Sequence, residues 1–320
     1  MRSDLNRCTI ILPVLNEESV IEKTAAELFS AFLSANIDIL FVDDGSTDST
    51  WQIITKLSQN NPFISGLRFS RNFGKESAML AGISKACGDC MIVMDADLQH
   101  PPNVAYEMYK LWRDSDFEIV EAVKSRRQEE GAVNKLGART FYKILHALSG
   151  IDLNNASDFK LIDRRAADVF KSMPERQTFF RAMSGWTGLK TGRVYFEVPP
   201  RSIGASKFST LKLVKMAVNS ITAYTSLPMQ LVTFTGLGFF LFAVIMSIQT
   251  LYMKLYGKAA GGFTTVIILL LLTGSILMIS LGIIGIYISK IYNEVKFRPR
   301  YILSEIVGQN VDRTKHSDES

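Results

Sequence analysis

The distribution of hydrophobic and polar residues divides this chain into two unlike parts. Up to about residue 200, short apolar runs alternate with longer stretches in which apolar residues recur at helical spacing. Beyond that point, residues 216–253 and 261–289 contain no charged side chain. A helix needs about 20 apolar residues to cross a hydrocarbon layer of about 30 Å. The pattern therefore predicts a globular domain followed by two transmembrane helices, at residues 231–253 and 263–289.

The first part has the alternation that is typical of an α/β domain. Short β-rich runs occupy residues 9–14, 37–42, 65–69, 91–94 and 117–123. Helical stretches lie between and after them, at residues 19–35, 49–59, 74–86 and 103–115. Strands separated by helices of this length form a mostly parallel sheet with both faces covered. Ligands of such sheets bind at the carboxyl ends of the strands, which is where we expect the chemistry.

The segments beyond residue 125 have a less regular pattern. It predicts helices at residues 135–148 and 164–172 and extended chain at 159–162 and 192–198. Residues 208–230 carry apolar side chains at helical spacing next to two lysines. This favours an amphipathic helix in the membrane interface over one more core helix.

Basic residues are distributed unevenly around the apolar segments. The net charge of +5 is too small to indicate a nucleic-acid partner, and much of the excess lies beside these segments, where anionic lipid is the expected partner. Basic residues precede the first segment (Lys207, Lys212, Lys215) and follow the second (Lys290, Lys296, Arg298, Arg300), whereas the connection at 254–262 has only two lysines. Because basic flanks stay on the cytoplasmic side, residues 1–207 and the tail at 290–320 are predicted to be cytoplasmic, with a periplasmic loop at 254–262.

The cysteines and the amino terminus indicate little further chemistry. Cys87 and Cys90 have C-x-x-C spacing, which is compatible with redox chemistry or half a zinc site. The chain has no second cysteine pair and its three histidines are scattered, so a turn followed by a buried strand is favoured. The first residues lack the long apolar core of a signal peptide.

Two carboxylates follow the fourth predicted strand directly. Asp95 and Asp97 are two residues apart, so both project to the same side of an extended chain. Hard cations such as Mg²⁺ bind one or two carboxylates together with substrate phosphates. A lone D-x-D is common in surface turns, but this one ends a buried strand and precedes two prolines. A metal site is therefore favoured here, while His100 is expected to be an exposed loop residue.

Polar, turn-forming residues also follow the first three strands. Glu17 lies after the first strand, Asp43 and Asp44 end the second, and residues 71–75 follow the third. One carboxylate of the segment that begins with Asp43 and Asp44 would accept hydrogen bonds from a nucleobase N–H or a ribose hydroxyl, whereas Asp48 is better explained as a helix cap. Four such clusters at one edge of a sheet predict a single crevice.

These residues belong to motifs that resemble a known family. The motifs are ILPVLNEE, FVDDGSTDST, RNFGKESAMLAG, MDADLQHPP, SRR, SDFKLIDRR, RSIGASKFS and a hairpin that ends in KFRPRY. Together they resemble the family 2 glycosyltransferases of the GT-A fold, and among them the polyisoprenyl-phosphate hexosyltransferases. The resemblance covers residues 9–301.

The resemblance implies roles for individual residues. The nucleotide-sugar site would comprise Pro13, Leu15, Glu17, Val42, Asp44, Lys75, Asp95 and Ala96. Leu15 departs from the aromatic residue that relatives often have. The metal and diphosphate positions are Asp95, Asp97 and Gln99, with Mg²⁺ or Mn²⁺ as the ion. The donor diphosphate and acceptor phosphate would be bound by Arg126, Arg201, Ser206 and Lys207. The catalytic set would be Asp97, Asp158 and Arg126, with Asp158 either a base or an orienting group.

The implied function is inverting transfer of a hexose from a nucleotide-diphosphate sugar, with uridine favoured as the base, to polyprenyl phosphate at the cytoplasmic face of the inner membrane. The lipid-linked sugar would serve cell-envelope glycans such as lipopolysaccharide, and relatives suggest self-association into a homo-oligomer. One alternative is a processive polysaccharide synthase, although residues 177–186 lack the Q-x-x-R-W motif. A second is a non-catalytic lipid-linked scaffold of the same fold, against which the intact D-x-D and the basic loop speak.

Overall fold

The computed structural model describes residues 7–124, 157–173, 180–197, 227–256 and 262–311. The chain forms two compact units, of which the first comprises residues 1–207 and 298–320 and the second residues 208–297. The predicted helix at 135–148, residues 208–226 of the predicted amphipathic segment and most of the connection at 254–262 lie outside the described residues.

The first unit is built on an eight-stranded sheet with the order β7-β5-β6-β4-β1-β2-β3-β8. The strands are β1 (Arg7–Val14), β2 (Asn36–Asp43), β3 (Ile64–Phe69), β4 (Cys90–Val93), β5 (Ile119–Lys124), β6 (Lys160–Asp163), β7 (Thr191–Phe196) and β8 (Leu303–Val307). Pairings of β1 with β2 and β4, of β2 with β3 and of β5 with β7 are parallel, whereas β6 and β8 pair antiparallel to their neighbours. The predicted mostly parallel α/β sheet is confirmed.

Helices cover both faces of this sheet. They are α1 (Ile21–Ala31), α2 (Thr50–Asn60), α3 (Lys75–Lys85), α4 (Pro102–Asp114), α5 (Arg164–Ser172) and α6 (Phe180–Thr187). Alternate residues of β1 enter different cores, since Ile10 and Leu12 pack with α1, α2 and α4, and Ile11 packs with α3 and α5. Because both faces of the sheet are covered, side chains on both sides of β1 and β2 are buried, which explains their nearly continuous apolar sequences.

For the strands and helices of the first unit up to β7, the predicted boundaries agree with the structure to within two residues, with one exception. Helix α1 ends at Ala31 rather than at residue 35. Its last turn closes through the N–H of Phe32, which donates to the carbonyl of Leu28, and the N–H of Ala35 then donates to the carbonyl of Phe32 at 3.0 Å. Residues 32–34 therefore form a turn that leads into β2.

Strand β8 was not predicted, because residues 290–320 were assigned to a cytoplasmic tail. Leu303–Val307 instead pairs antiparallel with β3 at the edge of the sheet. The Glu305 carboxylate accepts a hydrogen bond from Trp51 at 3.0 Å and pairs with Arg68 at 2.8 Å. The amide of Asn310 then donates to Asp38 at 2.7 Å. These contacts attach the chain after the apolar helices to the first unit.

The second unit contains two long helices, α7 (Leu227–Leu255) and α8 (Phe263–Val295). Large apolar side chains along both are exposed, such as Phe234 at 69% in α7 and Met278 at 74% in α8. Among the described residues, one stretch, Leu272–Val295, is long and apolar enough to cross a membrane, and Val232–Met246 is a shorter apolar run. A second span therefore stays a prediction.

A buried ion pair joins β5, β6 and α6. Glu121 and Lys160 face each other in the antiparallel register of β5 and β6, and their charged atoms are 2.7 Å apart. The Lys160 side chain is completely buried, and its ammonium also donates to the carbonyl of Arg181 at 3.0 Å and to the Ser184 hydroxyl. Burial lowers the pKa of Lys160, and the carboxylate beside it opposes that shift.

Removing only one partner of this pair leaves the other charge buried without compensation. We predict that Lys160→Met lowers the free energy of unfolding by about 3–5 kcal/mol, because breaking a buried pair costs that much. The double variant Lys160→Met/Glu121→Leu replaces both charges with apolar groups and should recover at least half of the loss. Urea unfolding of the purified full chain in detergent, followed by tryptophan fluorescence, measures both. A double variant that is less stable than Lys160→Met would contradict the prediction.

Candidate active site

The loops after β1 and β2 hold each other at the carboxyl edge of the sheet. The N–H of Asn16 donates to the Ser46 hydroxyl at 2.9 Å, and the Asn16 side-chain oxygen accepts from the N–H of Thr47 at 2.9 Å. The N–H of Glu17 donates to the Thr50 hydroxyl at 2.9 Å. Asn16 has a φ of 56°, which asparagine tolerates better than most residues. The reciprocal bonds fix one wall of the crevice.

Asp44 fixes the loop that follows β3. Its carboxylate accepts hydrogen bonds from the N–H of Phe73 at 2.7 Å and from the N–H of Gly74 at 2.9 Å. Gly45 has a φ of +77°, and a Cβ there would lie 2.6 Å from the carbonyl carbon of Arg71. Glycine is therefore required for this close approach. The Asp44 carboxylate thus organises the loop that leads into α3, beside any contact it makes with a nucleotide.

The backbone of the D-x-D segment is held from two sides. The Nδ1 atom of His100 accepts a hydrogen bond from the N–H of Asp95 at 3.0 Å, and the ring stacks on Phe159 with centroids 4.6 Å apart. The carbonyl of Ala96 accepts from the Thr24 hydroxyl at 2.7 Å. His100 is only 5% exposed, so the expectation of an exposed loop residue was wrong. Burial lowers its pKa, which favours the neutral ring that accepts this bond.

The second carboxylate of the motif lies in a tight turn. Asp97 is exposed, and its Oδ1 accepts from the N–H of Gln99 at 3.0 Å. Between them Leu98 has a φ of 59°, a left-handed conformation that disfavours large side chains. Such strain persists where the surrounding structure imposes it, and it is concentrated at functional sites.

Lys75 links the D-x-D segment to a second buried carboxylate. At the first residue of α3, its ammonium lies 2.5 Å from Asp95 and 3.1 Å from Asp158. Asp158 also receives two hydrogen bonds from the guanidinium of Arg181, at 2.8 and 2.9 Å. Burial would raise the pKa of Asp158, but Arg181 and Lys75 outweigh it and lower that pKa far below the usual carboxyl range. Asp158 is thus a buried carboxylate with two cationic partners that favour its ionised form.

The first turn of helix α6, which includes Arg181, is held by two side chains. The buried ammonium of Lys160 binds the Arg181 carbonyl, and the carboxylate of Glu76 accepts from the N–H of Phe180 at 2.9 Å. Burial raises the pKa of Glu76 to about 7. Both contacts hold the start of the helix, so the guanidinium is presented to Asp158 by a supported backbone.

Negative charge accumulates around Glu17 at this edge of the sheet. Burial and then the charges of Asp97, Asp48 and Asp95 raise the pKa of Glu17. The carboxylates of the β1, β2 and β4 loops therefore influence one another across the crevice. A cation placed between them would be stabilised.

The donor set suits a divalent ion that also binds substrate phosphates. The described residues contain no group of three or more His, Cys, Asp or Glu side chains arranged around one point. They do provide two carboxylates, Asp95 and Asp97, on a stiff turn. Mg²⁺ is commonly held by one or two carboxylates plus phosphate oxygens and water, so these residues fit such an ion when a diphosphate is present.

The structure brings part of the predicted set together at this edge. Asp95, Asp97, Lys75, Asp158 and Glu17 interact as described, and Leu15 is exposed at the same loop. Val42 is 0% exposed and Ala96 is 3% exposed, because both faces of β2 are covered and Ala96 turns inward toward α1. Their side chains pack in the interior, and their assignment to the nucleotide-sugar site stays a prediction. Pro13 is half-buried in β1, and Gln99 is partly exposed.

The structure does not describe the residues that were predicted to bind the phosphates. Arg126, Arg201, Ser206 and Lys207 fall outside the described residues. Their assignment stays a prediction.

Sequence analysis missed two residues that organise the site. Arg181 was present in the segment QTFFRAMSGW, which was considered only for its lack of a synthase motif. Its arginine, 23 residues after Asp158 of the SDFKLIDRR segment, was the available signal. His100 had no such signal, since its burial depends on Phe159, which is distant in the sequence.

Comparison with known proteins places the chain in a family. Residues 9–170 match the model "Glycosyl transferase family 2". An uncharacterized glycosyltransferase of Bacillus subtilis is 34% identical over 94% of this chain and 94% of its own length. A prophage bactoprenol glucosyl transferase homolog of Escherichia coli is 34% identical over 94% of this chain and 99% of its own.

A bactoprenol glucosyl transferase of Shigella phage SfII is 34% identical over 93% of this chain and 98% of its own length. Among solved structures, glucosyl-3-phosphoglycerate synthase of Mycobacterium tuberculosis aligns with a TM-score of 0.46 and 20% identity, over 68% of this chain and 77% of that one. The family match and the near full-length relatives establish that the chain belongs to glycosyl transferase family 2.

Proposed function

We propose that this protein transfers a hexose from a nucleotide-diphosphate sugar to polyprenyl phosphate at the cytoplasmic face of the plasma membrane. The observation that carries the proposal is the length of the similarity to bactoprenol glucosyl transferases, which extends over 93–94% of the chain and so includes the apolar helices as well as the sheet. A soluble acceptor would give no reason for this second unit to be retained.

The donor would bind at the carboxyl edge of β1, β2 and β4. Glu17 and the exposed Leu15 line the side on which a nucleoside would lie, and Asp44 supports the loop that follows β3. Uridine is the base that we favour. A bound Mg²⁺ or Mn²⁺ would be held by Asp95, Asp97 and the side chain of Gln99, and it would neutralise charge on the departing nucleoside diphosphate.

The acceptor needs little activation by a base. A phosphate monoester has a second pKa of about 6, so its oxygen is largely ionised at neutral pH. Cations that hold it in line with the anomeric carbon are then the main requirement, and Arg126, Arg201 and Lys207, with Ser206, are the residues we assign to it. Direct displacement by this oxygen would invert the anomeric configuration.

Asp158 fits an orienting role better than that of a base. Its two oxygens are already occupied by Arg181 and Lys75, and these cations lower its pKa far below neutrality. A carboxylate in this state does not retain an abstracted proton. Its contribution is to hold two cations beside the reacting phosphates.

The membrane unit is proposed to form a two-helix hairpin with both termini in the cytoplasm. The exposed apolar side chains of α7 and α8 favour a lipid environment for both helices. A catalytic domain held at the bilayer surface has access to a phosphate that is attached to a lipid.

We predict that membranes containing this protein, given a panel of labelled nucleotide sugars, incorporate label from one donor into an organic-extractable, mild-acid-labile lipid. Asp97→Ala should lower this transfer about 100-fold, since a metal ligand supplies several kcal/mol of charge stabilisation. Asp168→Ala, which removes a carboxylate that is 62% exposed on α5, serves as the matched control with normal transfer. No labelled lipid with any donor refutes the proposed function, and wild-type transfer that persists in chelator refutes the metal.

The pH dependence of the transfer rate distinguishes an orienting role of Asp158 from that of a general base. We predict that Asp158→Asn lowers the rate about 100-fold through misplaced cations, and that the rate stays flat above pH 8. Loss of a general base would instead give a variant whose rate rises steeply with hydroxide in that range. The pH profile of lipid labelling from pH 6 to 10 distinguishes the two.

The topology can be tested with single cysteines. Cys87 is exposed, so the background is Cys87→Ser, while Cys8 and Cys90 are buried. We predict that a cysteine at Ala260 reacts with an impermeant maleimide in intact cells and that one at Ser317 reacts only after lysis. The reverse pattern would overturn the assignment.

A further inference from the structure

Lys75 occupies an unusual position for a residue beside a proposed metal site. Its ammonium contacts Asp95 of the D-x-D motif at 2.5 Å, the shorter of its two carboxylate contacts. A dication that used the same carboxylate would lie close to this ammonium. Two cations on one carboxylate repel each other, so the lysine and a metal compete for Asp95.

The contact of Lys75 with Asp158 is less important for charge compensation than its contact with Asp95. Asp158 already receives a bidentate pair of hydrogen bonds from Arg181, which is the strongest geometry for a carboxylate. Asp95 has no such second cation among the ion pairs of the described residues. The positive charge of Lys75 is therefore most important at Asp95.

The side chain of Lys75 is free to change partner while its backbone stays in place. The preceding loop is held by Asp44 through the N–H groups of Phe73 and Gly74. The Lys75 side chain itself is 42% exposed, and a lysine has a flexible four-carbon stem with a compact charge at its end. Movement of the ammonium away from Asp95 requires no rearrangement of α3.

We propose that the Lys75 ammonium holds the cation position at Asp95 in the ligand-free protein, and that it moves to the donor diphosphate when a divalent ion and the nucleotide sugar bind together. Lys75 then makes the site selective for the metal ion together with the nucleotide sugar over the metal ion alone. The inference rests on the proposed function, because it requires a diphosphate donor.

Two consequences follow for binding. Without nucleotide, a metal must displace the Lys75 ammonium from Asp95, and no diphosphate is present to replace the contact that the ammonium loses. The affinity for the metal alone is therefore low. With a diphosphate present, the displaced ammonium acquires a new anionic partner, so nucleotide and metal favour each other. By linkage, the coupling acts equally on both ligands.

Direct measurement of metal binding tests this without turnover. Mn²⁺ is titrated into the purified full chain in detergent, with and without UDP, and free Mn²⁺ is followed by electron paramagnetic resonance against protein-free references. Lys75→Met should bind Mn²⁺ about tenfold more tightly than wild type in the absence of UDP, a coupling within the usual range. The same variant should lose most of the increase in Mn²⁺ affinity that UDP gives wild type.

Two further variants isolate the charge at this position. Lys75→Arg keeps a cation at Asp95, so its Mn²⁺ affinity without UDP should stay at the wild-type level. Lys56→Met, at an exposed position of α2, changes the net charge equally and should leave both affinities unchanged. Lys75→Gln provides the same test as Lys75→Met if the latter fails to fold.

The outcomes separate this inference from the proposed function. If wild type binds Mn²⁺ and Lys75→Met binds it without UDP no more tightly than wild type does, the inference is wrong. The proposed function is not affected by that result. Wild type that binds no Mn²⁺ even with UDP overturns it as well, and the lipid-labelling assay then shows whether transfer proceeds without a metal. Tighter binding in Lys75→Met and Lys56→Met alike would indicate a general charge effect and would also refute it.

Discussion

The buried carboxylate of Asp158 is the charge on which the rest of the site depends. A carboxylate that is removed from water is strongly unfavourable unless cations and hydrogen bonds replace the lost hydration. Arg181 and Lys75 provide that replacement, and they come from helices α6 and α3. The need to compensate one negative charge thus brings two helices and the D-x-D segment to the same point.

The partners of Asp158 are themselves held by buried polar groups. Lys160 binds the carbonyl of Arg181, and Asp44 binds the loop that begins α3. His100 fixes the backbone of Asp95. Each contact acts on backbone rather than on a charged tip, so loop positions are rigid while the Lys75 side chain keeps its freedom. A site that must accept two substrates and release two products benefits from this division between fixed backbone and mobile charge.

Sequence reasoning predicted the parts of this site that depend on local order. Asp95 and Asp97 follow a short apolar run, and Asp44 follows another, so the parallel-strand rule was enough to place them at one edge. The pairing of Lys75 and Arg181 with Asp158 joins residues 83 and 23 positions apart, and no local pattern records such a contact. The complete burial of Val42 was likewise not predictable from local order, because burial on both faces of β2 depends on helices that pack from elsewhere in the sequence. Strand β8 was missed because its five residues are mostly exposed and acquire their structure only by pairing with β3.

Strand β8 also changes how the apolar unit is connected. Residues 208–297 are inserted between β7 and β8, so both ends of this unit return to the same sheet. Tyr301 stacks on Phe69 with centroids 5.0 Å apart, and Phe69 contacts Phe73 edge-on in the loop that Asp44 holds. An enzyme whose acceptor is fixed in a bilayer works at a nearly constant distance from the lipid surface. Two covalent connections restrict a domain to that distance more narrowly than one flexible linker, since the accessible volume of a tether sets its effective concentration. The second connection re-enters the sheet at β8, whose first residue Leu303 pairs with Phe69 at the carboxyl end of β3, so it is held by strand pairing as well as by side-chain contacts.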